Sequence, residues 1–579
     1  MREGLTLEVN GEDMKFRVHH SGILGIIGLT TLFAPFQSDA KVINAASCAF
    51  SDVSAAVAQA SPGDVVQVPA GTSSWTQSLT LNGVSLIGAG TNSTIIIDEE
   101  NRSSSAQIIN LYPQAGRYME IANIQFEGGV NNTSANYTGC LAVYGATGAS
   151  WRIDHNIFNG LYGKNIVTYG DSTSVIDHNT FYEKYISVCC YGYIWPGDGN
   201  GDVSWSLPPT YGLASSNCLY VENNYFTNMT TWLGSVGATD GNGGGRIVFR
   251  YNTVMNDCWN DHGTESGGRV RSLRSFEVYN NTFTCPPSAT SLYPIYTACM
   301  IRGGSGLIFS NSINGYSSVA AIRNYRFTCS YYNEFDPFGG ANGLSPFDSN
   351  DPTLYLTGTS SSSAPSGSSY LQVDGANWTP NQWVGYTVMD SNNGNFSQIN
   401  SNTANTIYYI GSTPDTASVI PCTVLTFNPG DAFQIRRVYA SLDQPGRGSG
   451  DLLQDVNNSW LTSSNHVLVT LNTSTGTESW PNQALDGIYS WANNLNGTDG
   501  QLASTYPGVA VGRELYNDTP KPGYTPYVYP HPLTYMNVGS TNLNGGSSPT
   551  NNPTNNPPPT TNNTPTNGLT PPPNFHIVH

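Results

Sequence analysis

The sequence predicts an all-β fold, a right-handed parallel β-helix solenoid that carries a small inserted β-module. Composition is the first indication, because only 11% of the 579 residues are charged while Gly (61) and Tyr (34) are abundant. Such a mixture favours short strands and frequent turns over helices. A short motif that recurs along the chain is the second indication, since repeats of 20 to 50 residues are typical of solenoids.

The motif consists of an apolar residue, two polar residues, Asn, any residue and a further apolar residue. It begins with Ile153-Asp154-His155-Asn156-Ile157-Phe158, and an imperfect early copy spans residues 121–126. Its asparagines are Asn156, Asn179, Asn224, Asn252, Asn281 and Asn311. Their gaps of 23, 45, 28, 29 and 30 residues fit one turn of a β-helix each, except that 45 fits either two turns or one turn with a long loop. We expect these asparagines to point inward, to bond one another between coils and to occupy left-handed turn positions.

The repeat divides the chain into five regions. Residues 1–40 form a signal-peptide region, and residues 41–344 form the parallel β-helix, beginning with a short capped helix near Ser51. The repeat lapses over 345–437, where a Ser-rich stretch precedes a small inserted β-module whose tryptophans could bind sugar or, as we favour, form its core. Residues 438–540 are expected to resume the β-helix and close it, and 541–579 form a disordered Asn/Pro/Thr-rich tail.

Charge and the N-terminus limit the possible partners. A net charge of −18 argues against nucleic acid as a partner, because a phosphate-binding surface would be basic. A basic start at Met14 to Arg17, an apolar stretch over 22–33 and the small residues near Ala40 form an export signal. We therefore expect a secreted, extracellular or cell-surface protein that has no membrane segment after cleavage, and the sequence leaves its oligomeric state unknown.

Two segments resemble a known family. The order of elements from Ser51 to Gly90 is similar to the N-terminal cap and first coils of the pectate-lyase-like β-helix family. Trp151-Arg152-Ile153-Asp154-His155 resembles the Trp-Ile-Asp-His signature of pectate lyases with Arg152 inserted. Arg269-Val270-Arg271-Ser272-Leu273-Arg274 resembles their Arg-x-Pro-x-x-Arg motif, with Arg271 in place of the proline. The resemblance implies polysaccharide as substrate, arginine or lysine as base, and Ca²⁺ held by Asp or Glu.

The candidate site is the segment from Asp261 to Arg274, which does not fit the repeat. In it, His262 can exchange protons near neutral pH, and Asp261 and Glu265 could orient it or bind the metal, Ca²⁺. The catalytic candidates are His262, Arg269, Arg271 and Arg274. Eight arginines lie between residues 246 and 326, and we predict that Arg246, Arg250 and Arg302 bind substrate carboxylates.

Other interpretations remain open at this stage. The recurring Asp-His pairs are better explained as coil architecture than as catalytic groups. The segment around His262 could be a solvated loop of ion pairs, and the arginines could form a ladder with acidic residues that holds neighbouring coils. The leading prediction is a lyase on uronate-containing glycan, with a glycosidase as a close variant. The alternative is a non-catalytic glycan-binding, adhesion or structural surface solenoid.

Overall fold

The structure is a computed structural model. It describes residues 40–100, 107–129, 140–161, 163–170, 172–183, 185–191, 210–228, 237–263, 272–285, 297–323, 354–362, 369–393, 396–409, 425–438, 444–449, 452–454, 469–472, 477–478, 484–506 and 509–536. Nearly all of the signal-peptide region and the whole Asn/Pro/Thr-rich tail predicted from the sequence lie outside these residues. Among the described residues, no helix is both long and apolar enough to cross a bilayer.

The described chain winds into a parallel β-helix whose strands stack in three long sheets. The largest, sheet 1, has 12 parallel strands. They are Val42–Asn44, Val65–Val68, Ser85–Gly88, Tyr118–Ala122, Ser150–Asp154, Thr173–Asp177, Leu219–Glu222, Arg246–Arg250, Ser275–Tyr279, Ser305–Phe309, Ile488–Trp491 and Leu515–Asn517. The predicted fold class is thus confirmed.

Two further sheets complete each turn. Sheet 2 contains Gly71–Trp75, Thr94–Asp98, Gln125–Gly128, Ile157–Asn159, Thr180–Glu183, Tyr225–Asn228, Thr253–Met255, Thr282–Thr284, Ser312–Asn314, Asn494–Leu495 and Thr498–Asp499. Sheet 3 contains Leu79–Asn82, Ile109–Tyr112, Leu141–Tyr144, Lys164–Tyr169, Ile186–Tyr191 and Gly237–Asn242. Sheet 4 follows it with Trp259–Asn260, Thr297–Ile301 and Ser318–Ile322. Only the last pair of sheet 2 is antiparallel.

The interior is filled by side chains that stack from coil to coil. Phe126, Phe158, Phe181 and Phe226 are fully buried and stack with centroid separations of 5.3, 4.9 and 4.8 Å. At the N-terminal end, the helix Phe50–Val57 buries Val53 and Ala56 against this core. The helix covers the first coil, whose apolar end would otherwise meet water.

The repeated asparagines form the predicted ladder. Asn252, for example, accepts bonds at Oδ1 from the backbone N–H of Asn224 at 2.9 Å and from its side-chain amide at 3.1 Å. Its own amide donates to Val221 O at 2.9 Å and to Asn281 Oδ1 at 3.1 Å. The ladder runs unbroken from Asn156 to Asn311 and continues to an asparagine that the repeat analysis did not include, Asn493.

One detail of the turn prediction was wrong. The left-handed residue is the one that precedes each ladder asparagine, with φ between 50° and 57°. These residues are His155, His178, Asn223, Tyr251, Asn280 and Ser310. The side-chain amide of each ladder asparagine has to lie inside the solenoid to bond its neighbours. The residue before it therefore adopts the left-handed conformation with which the chain turns the corner.

The solenoid is interrupted by an insert between two adjacent coils. Strand Ile488–Trp491 pairs directly with Ser305–Phe309, so the β-helix resumes at Ile488 and not at residue 438 as expected. The insert includes a six-stranded antiparallel sheet, made of Leu354–Thr359, Tyr370–Gln372, Tyr386–Asp390, Phe396–Asn402, Thr406–Tyr409 and Ala432–Val438. Trp378 and Trp383 pack against its core, as favoured from the sequence.

The insert and the coils contain a few further elements. Two short antiparallel sheets of the insert contain Arg447–Ser449, Leu452–Gln454, Val469–Asn472, Thr477–Glu478 and Ala484–Leu485. The turns of 3₁₀ helix are Gly212–Ala214 and Pro532–Tyr535. The gap of 45 residues between Asn179 and Asn224 is one coil with a long excursion, since strands Thr173–Asp177 and Leu219–Glu222 pair directly.

A C-terminal strap, residues 519–536, runs back across the outer face of sheet 1. Tyr524 donates to Glu277 at 2.5 Å, the backbone N–H of His531 donates to Glu222 at 2.8 Å, and Thr534 O accepts from Arg152 at 3.4 Å. The strap therefore ties together coils that touch only their neighbours in the solenoid.

Candidate functional site

The outer face of sheet 3 carries a row of tyrosines that leads towards a buried polar cluster. Tyr112, Tyr144, Tyr169 and Tyr191 occupy equivalent positions in four successive strands. The first three rings stack at 4.8 and 5.3 Å, and Tyr191 is tilted against Tyr169 at 5.5 Å. Tyr112 is 38% exposed and the other three are half-buried. We call this set the tyrosine row.

His262 lies at the far end of this face, where the last strand of sheet 3 meets sheet 4. Its backbone N–H donates to Gly241 O at 2.8 Å, and its carbonyl accepts from the N–H of Leu273 at 3.1 Å, so both neighbouring segments hold it in place. Its Nδ1 contacts Asp240 Oδ1. A carboxylate at Nδ1 fixes the proton on that nitrogen and leaves the basic lone pair on Nε2.

Asp240 and His262 are both buried, with side chains 1% and 6% exposed. Burial on its own would raise the pKa of Asp240, but the attraction of His262, Arg302 and Lys164 holds that pKa well below its usual range. Asp240 is therefore a charged carboxylate at neutral pH, and it stabilises positive charge on the imidazole.

Arg302 connects His262 to Asp261. Its side-chain NH2 lies 3.0 Å from His262 Nδ1 and 4.0 Å from Asp240 Oδ1, while its Nε donates to Asp261 O. Its backbone N–H donates to Asp261 Oδ1 at 2.6 Å. Because Nδ1 already donates its proton to Asp240, we treat the guanidinium as a charged neighbour of the imidazole.

Asp261 has no exposed surface, and its Oδ2 has no hydrogen-bond partner in the part of the chain that the structure describes. Burial raises the pKa of Asp261 to about 8, against the opposing effect of Arg302 and two backbone N–H groups. The carboxyl is therefore mostly protonated at neutral pH.

Lys164 and Tyr191 extend the cluster along sheet 3. The Lys164 ammonium donates to the Tyr191 hydroxyl and lies 4.8 Å from the centre of that ring. Burial and the negative charge of neighbouring groups, Asp240 among them, hold the pKa of Tyr191 well above its usual range, so its hydroxyl keeps its proton. We name the group of Lys164, Tyr191, Asp240, Asp261, His262 and Arg302 the sheet-3 cluster.

The structure brings together only part of the predicted site. Asp261, His262 and Arg302 meet as described, whereas Glu265, Arg269 and Arg271 lie outside the described residues. Arg274 is fully buried, and its side-chain NH1 contacts Ser305 Oγ and Asp486 Oδ2, each at 3.1 Å. Arg274 thus ties together neighbouring coils through Ser305 and Asp486. These buried contacts do not support a catalytic role for Arg274.

The predicted substrate-binding arginines do not form one stripe. Arg250 has no exposed surface and bonds Glu222, Tyr279 and two carbonyls of the C-terminal strap. It is shielded from any ligand, which matches the structural ladder considered as an alternative, and we leave it out of the proposed site. Arg246 is half-buried and lines a small pocket together with Trp151, Tyr169 and Tyr191.

The surroundings of Asp261 do not suit Ca²⁺. Calcium takes six to eight oxygen ligands, whereas Asp261 is a buried, mostly neutral carboxyl whose Oδ1 accepts from the backbone N–H of Arg302. Among the described residues, no group of three or more His, Cys, Asp or Glu side chains is arranged to hold a metal ion. We therefore derive no chemical step through Ca²⁺.

Sequence reasoning missed Asp240, Lys164 and Tyr191. Asp240 and Tyr191 join the site through strand register, since Cys189 pairs with Asp240 and Ile186 pairs with Gly237 across two coils separated by a long excursion. The available signal was a carboxylate in the glycine-rich stretch from Gly237 to Gly245, at a position where the three preceding strands of sheet 3 hold Ala142, Val167 and Cys189.

Comparison with known proteins adds likenesses of fold only. No protein-family model matches the chain, and no curated protein sequence matches it. Among solved structures, ORF18 of Geobacillus virus E2 covers 74% of this chain and 82% of its own, at 14% identity and a TM-score of 0.26. An alginate lyase from Paenibacillus sp. str. FPU-7 covers 48% and 90%, at 12% identity and a TM-score of 0.22.

The pectin methylesterase PemA from Erwinia chrysanthemi is similar over 44% of this chain and 91% of its own, at 11% identity and a TM-score of 0.23. Identities and TM-scores this low carry no argument about the chemistry of the present chain.

Proposed function

We propose that this chain is a secreted polysaccharide-acting protein, and that it is a lyase on uronate-containing glycan with its chemistry at the sheet-3 cluster. The observation that carries the proposal is the Asp240–His262 pair, a base oriented by a buried carboxylate, with the cations Arg302 and Lys164 beside it. A carboxylate-bearing substrate on a protein of net charge −18 needs a local group of cations of this kind.

Each group has a role in the proposed β-elimination. His262 Nε2 removes the proton from C5 of the uronate, and the electron pair left on C5 forms the C4–C5 double bond as the C4–O4 bond breaks. Tyr191, which keeps its proton, donates it to the departing O4. Arg302 and Lys164 stabilise the negative charge that builds up on the substrate carboxylate.

The experiment is an assay of the full secreted chain on a panel of uronate and neutral glycans, with and without Ca²⁺. Absorbance of the unsaturated uronate product separates elimination from hydrolysis, which yields reducing ends without that absorbance. We expect His262→Ala and Arg302→Gln to lower the rate by about a hundredfold or more, the usual scale for a positioned acid–base group.

The chain offers a matched control for Arg302. Arg323 follows the next strand of sheet 4 at the equivalent position, because Ile301 pairs with Ile322, and Arg323 is exposed. Arg323→Gln removes the same charge one coil away and should leave the rate within about twofold, as expected of a surface change. Equal losses in the two variants, or full activity in His262→Ala, would refute the assignment.

A second candidate function is glycan binding without catalysis, and the tyrosine row favours it. Stacked rings cover each other's faces, so the partly exposed Tyr112, Tyr144 and Tyr169 present their ring edges and hydroxyls outward, one per coil, while the Tyr191 hydroxyl accepts from Lys164. Such a ladder of hydroxyls can hydrogen-bond an extended glycan that runs along the solenoid axis.

Binding can be tested by affinity electrophoresis with Tyr144→Ala. Tyr408→Ala, an exposed strand tyrosine of the inserted module beside Tyr370, is the matched control. Binding that depends on Tyr144 and not on Tyr408, with no product from any glycan, would replace the enzyme by a binding protein.

A further inference from the structure

A small pocket lies at the corner where the chain passes from sheet 3 into sheet 1. Arg246, the first residue of strand Arg246–Arg250, lies on its wall and is half-buried. Among the described residues that line the pocket, Arg246 is the only one with a charged side chain. The others include hydroxyl, amide and aromatic side chains, among them Trp151, Tyr169, Ser172, Tyr191 and Asn217. The pocket therefore combines one guanidinium with groups that can hydrogen-bond sugar hydroxyls.

The pocket adjoins the site proposed for the reaction. Tyr169 and Tyr191, which line it, are the last two members of the tyrosine row. The Tyr191 hydroxyl also accepts from Lys164 in the sheet-3 cluster. One side chain thus borders both the pocket and the cluster. A glycan with one unit at the cluster can therefore place a substituent of the next unit at the pocket.

The pocket is held in shape by contacts within the chain. Trp151 and Ser172 are buried, and the indole N–H donates to Ser172 Oγ at 2.7 Å. Gly244 has φ of 83°, a left-handed conformation that favours glycine, so no side chain projects from this position into the pocket. The pairing of Arg246 with Ser275 in sheet 1 fixes the backbone of the arginine. The pocket is thus pre-formed, as ligand sites usually are.

The charges around this corner favour an anion. Burial lowers the pKa of Arg274 against the opposing attraction of Asp486 and Tyr211, and the positive charge of Arg246 lowers it further. The guanidiniums of Arg246 and Arg274 are thus close enough to repel each other, so an anion beside Arg246 relieves that repulsion. A guanidinium binds a carboxylate through two parallel N–H bonds. The pocket therefore suits the carboxylate of an acidic sugar.

From this arrangement we propose that Arg246 binds the carboxylate of a second uronate unit, adjacent to the unit that reacts, and so selects runs of adjacent uronates. The inference rests on the proposed function, in which Arg302 and Lys164 serve the carboxylate of the reacting unit. Arg246 lies outside the sheet-3 cluster and is a positioning residue. Binding energy that is equal in the ground state and the transition state lowers KM and leaves kcat unchanged. We therefore expect Arg246 to act on KM.

The test is isothermal titration with a diuronate and with its dimethyl ester, which carries no charge. The full chain carries His262→Ala, so that no product forms during the titration, and is compared with and without Arg246→Gln. Arg246→Gln should weaken binding of the diuronate by at least about tenfold, the scale of one lost hydrogen bond to a charged group. Binding of the dimethyl ester, which offers no carboxylate to Arg246, should change by less than about twofold.

Two variants serve as controls. Arg117 is a half-buried arginine that precedes strand Tyr118–Ala122 at the same end of the strands of sheet 1, four strands away from Arg246–Arg250. Arg117→Gln removes the same charge outside the pocket and should leave diuronate affinity within about twofold. Arg246→Lys keeps the positive charge but not the two-pronged geometry, so its affinity should lie between those of the parent chain and Arg246→Gln. That order would show that the loss in Arg246→Gln comes from the guanidinium and not from misfolding.

Kinetics of the active chain give a second measurement. Arg246→Gln should raise KM for polyuronate about tenfold and leave kcat within about twofold. Unchanged diuronate affinity in Arg246→Gln, or an equal loss in Arg117→Gln, would overturn the subsite. If no glycan yields unsaturated product while diuronate binding still depends on Arg246, the proposed lyase reaction is rejected and the subsite stands.

Discussion

Replacing Arg250 by alanine should detach the C-terminal strap and destabilise the whole solenoid. The Arg250 guanidinium lies 2.7 and 2.6 Å from Glu222 Oε2, 2.9 Å from the Tyr279 hydroxyl, and 2.9 and 2.8 Å from the carbonyls of Tyr527 and Val528. Arg250 and Glu222 are both fully buried. The arginine thus joins sheet 1 to the strap through hydrogen bonds from its charged side chain to two strap carbonyls.

The size of the effect follows from what the truncation leaves behind. Removing one partner of a buried ion pair costs about 3 to 5 kcal/mol, because the remaining charge is buried without compensation. The two strap carbonyls also lose their donors, at about 1 to 3 kcal/mol each if they stay buried. Detachment of the strap lets water reach both carbonyls, so we expect a total loss of about 3 to 5 kcal/mol.

Urea unfolding followed by tryptophan fluorescence gives the free energy of unfolding, and hydrogen exchange across residues 519–536 reports on the strap itself. Arg323→Ala, an exposed arginine, should stay within about 0.5 kcal/mol of the wild type. Replacing both Arg250 and Glu222 by methionine should recover much of the loss, since no charge is then left buried. A loss below about 1 kcal/mol in Arg250→Ala, with unchanged exchange in the strap, would refute this reasoning.

Three further predictions concern stability. Because the pKa of Asp261 is about 8, the folded chain keeps a proton which the unfolded chain releases near pH 4. The contribution of this carboxyl to the free energy of unfolding is therefore largest below pH 4 and falls as the pH rises towards 8. In urea unfolding at several pH values, the free energy of unfolding of Asp261→Asn should therefore rise relative to that of the wild type from pH 5 to 8, by up to about 1.4 kcal/mol per pH unit. A difference that stays constant with pH would contradict this. Asn252→Ala removes four ladder bonds and should cost about 2 to 4 kcal/mol in the same assay, whereas a cost under 1 kcal/mol would mean that water replaces them. Ser310→Asn places asparagine at an exposed left-handed corner and should add about 0.5 kcal/mol, while a loss would show that the corner is not strained.

Much of the solenoid could be predicted because its repeat is a local signal. The ladder asparagines and the apolar residues that flank them recur once per coil, and each coil contacts mainly its neighbours. The end of the insert was not predictable in this way, because Ile488–Trp491 lacks the polar pair of the other copies and its partner strand Ser305–Phe309 is far away in sequence. Pairing across an insert is a property of the assembled sheet.

The candidate site, like the solenoid, could be predicted only in part from the sequence. His262, Asp261 and Arg302 were visible in sequence as residues that depart from the repeat. Their partner Asp240 and the neighbouring Lys164 were not, since a side chain on the outer face of one coil acquires its neighbours from other coils.

The roles of the arginines were decided by packing. Arg250 and Arg302 look alike in the sequence, yet the strap covers the first and the second contacts an imidazole. A sequence of this kind therefore determines by itself that the chain coils, where the coils turn and which residues break the repeat, because those are local consequences of residue type. Only the tertiary structure decides which charges are buried and which meet, because burial and pairing depend on segments brought together across coils, the insert and the strap.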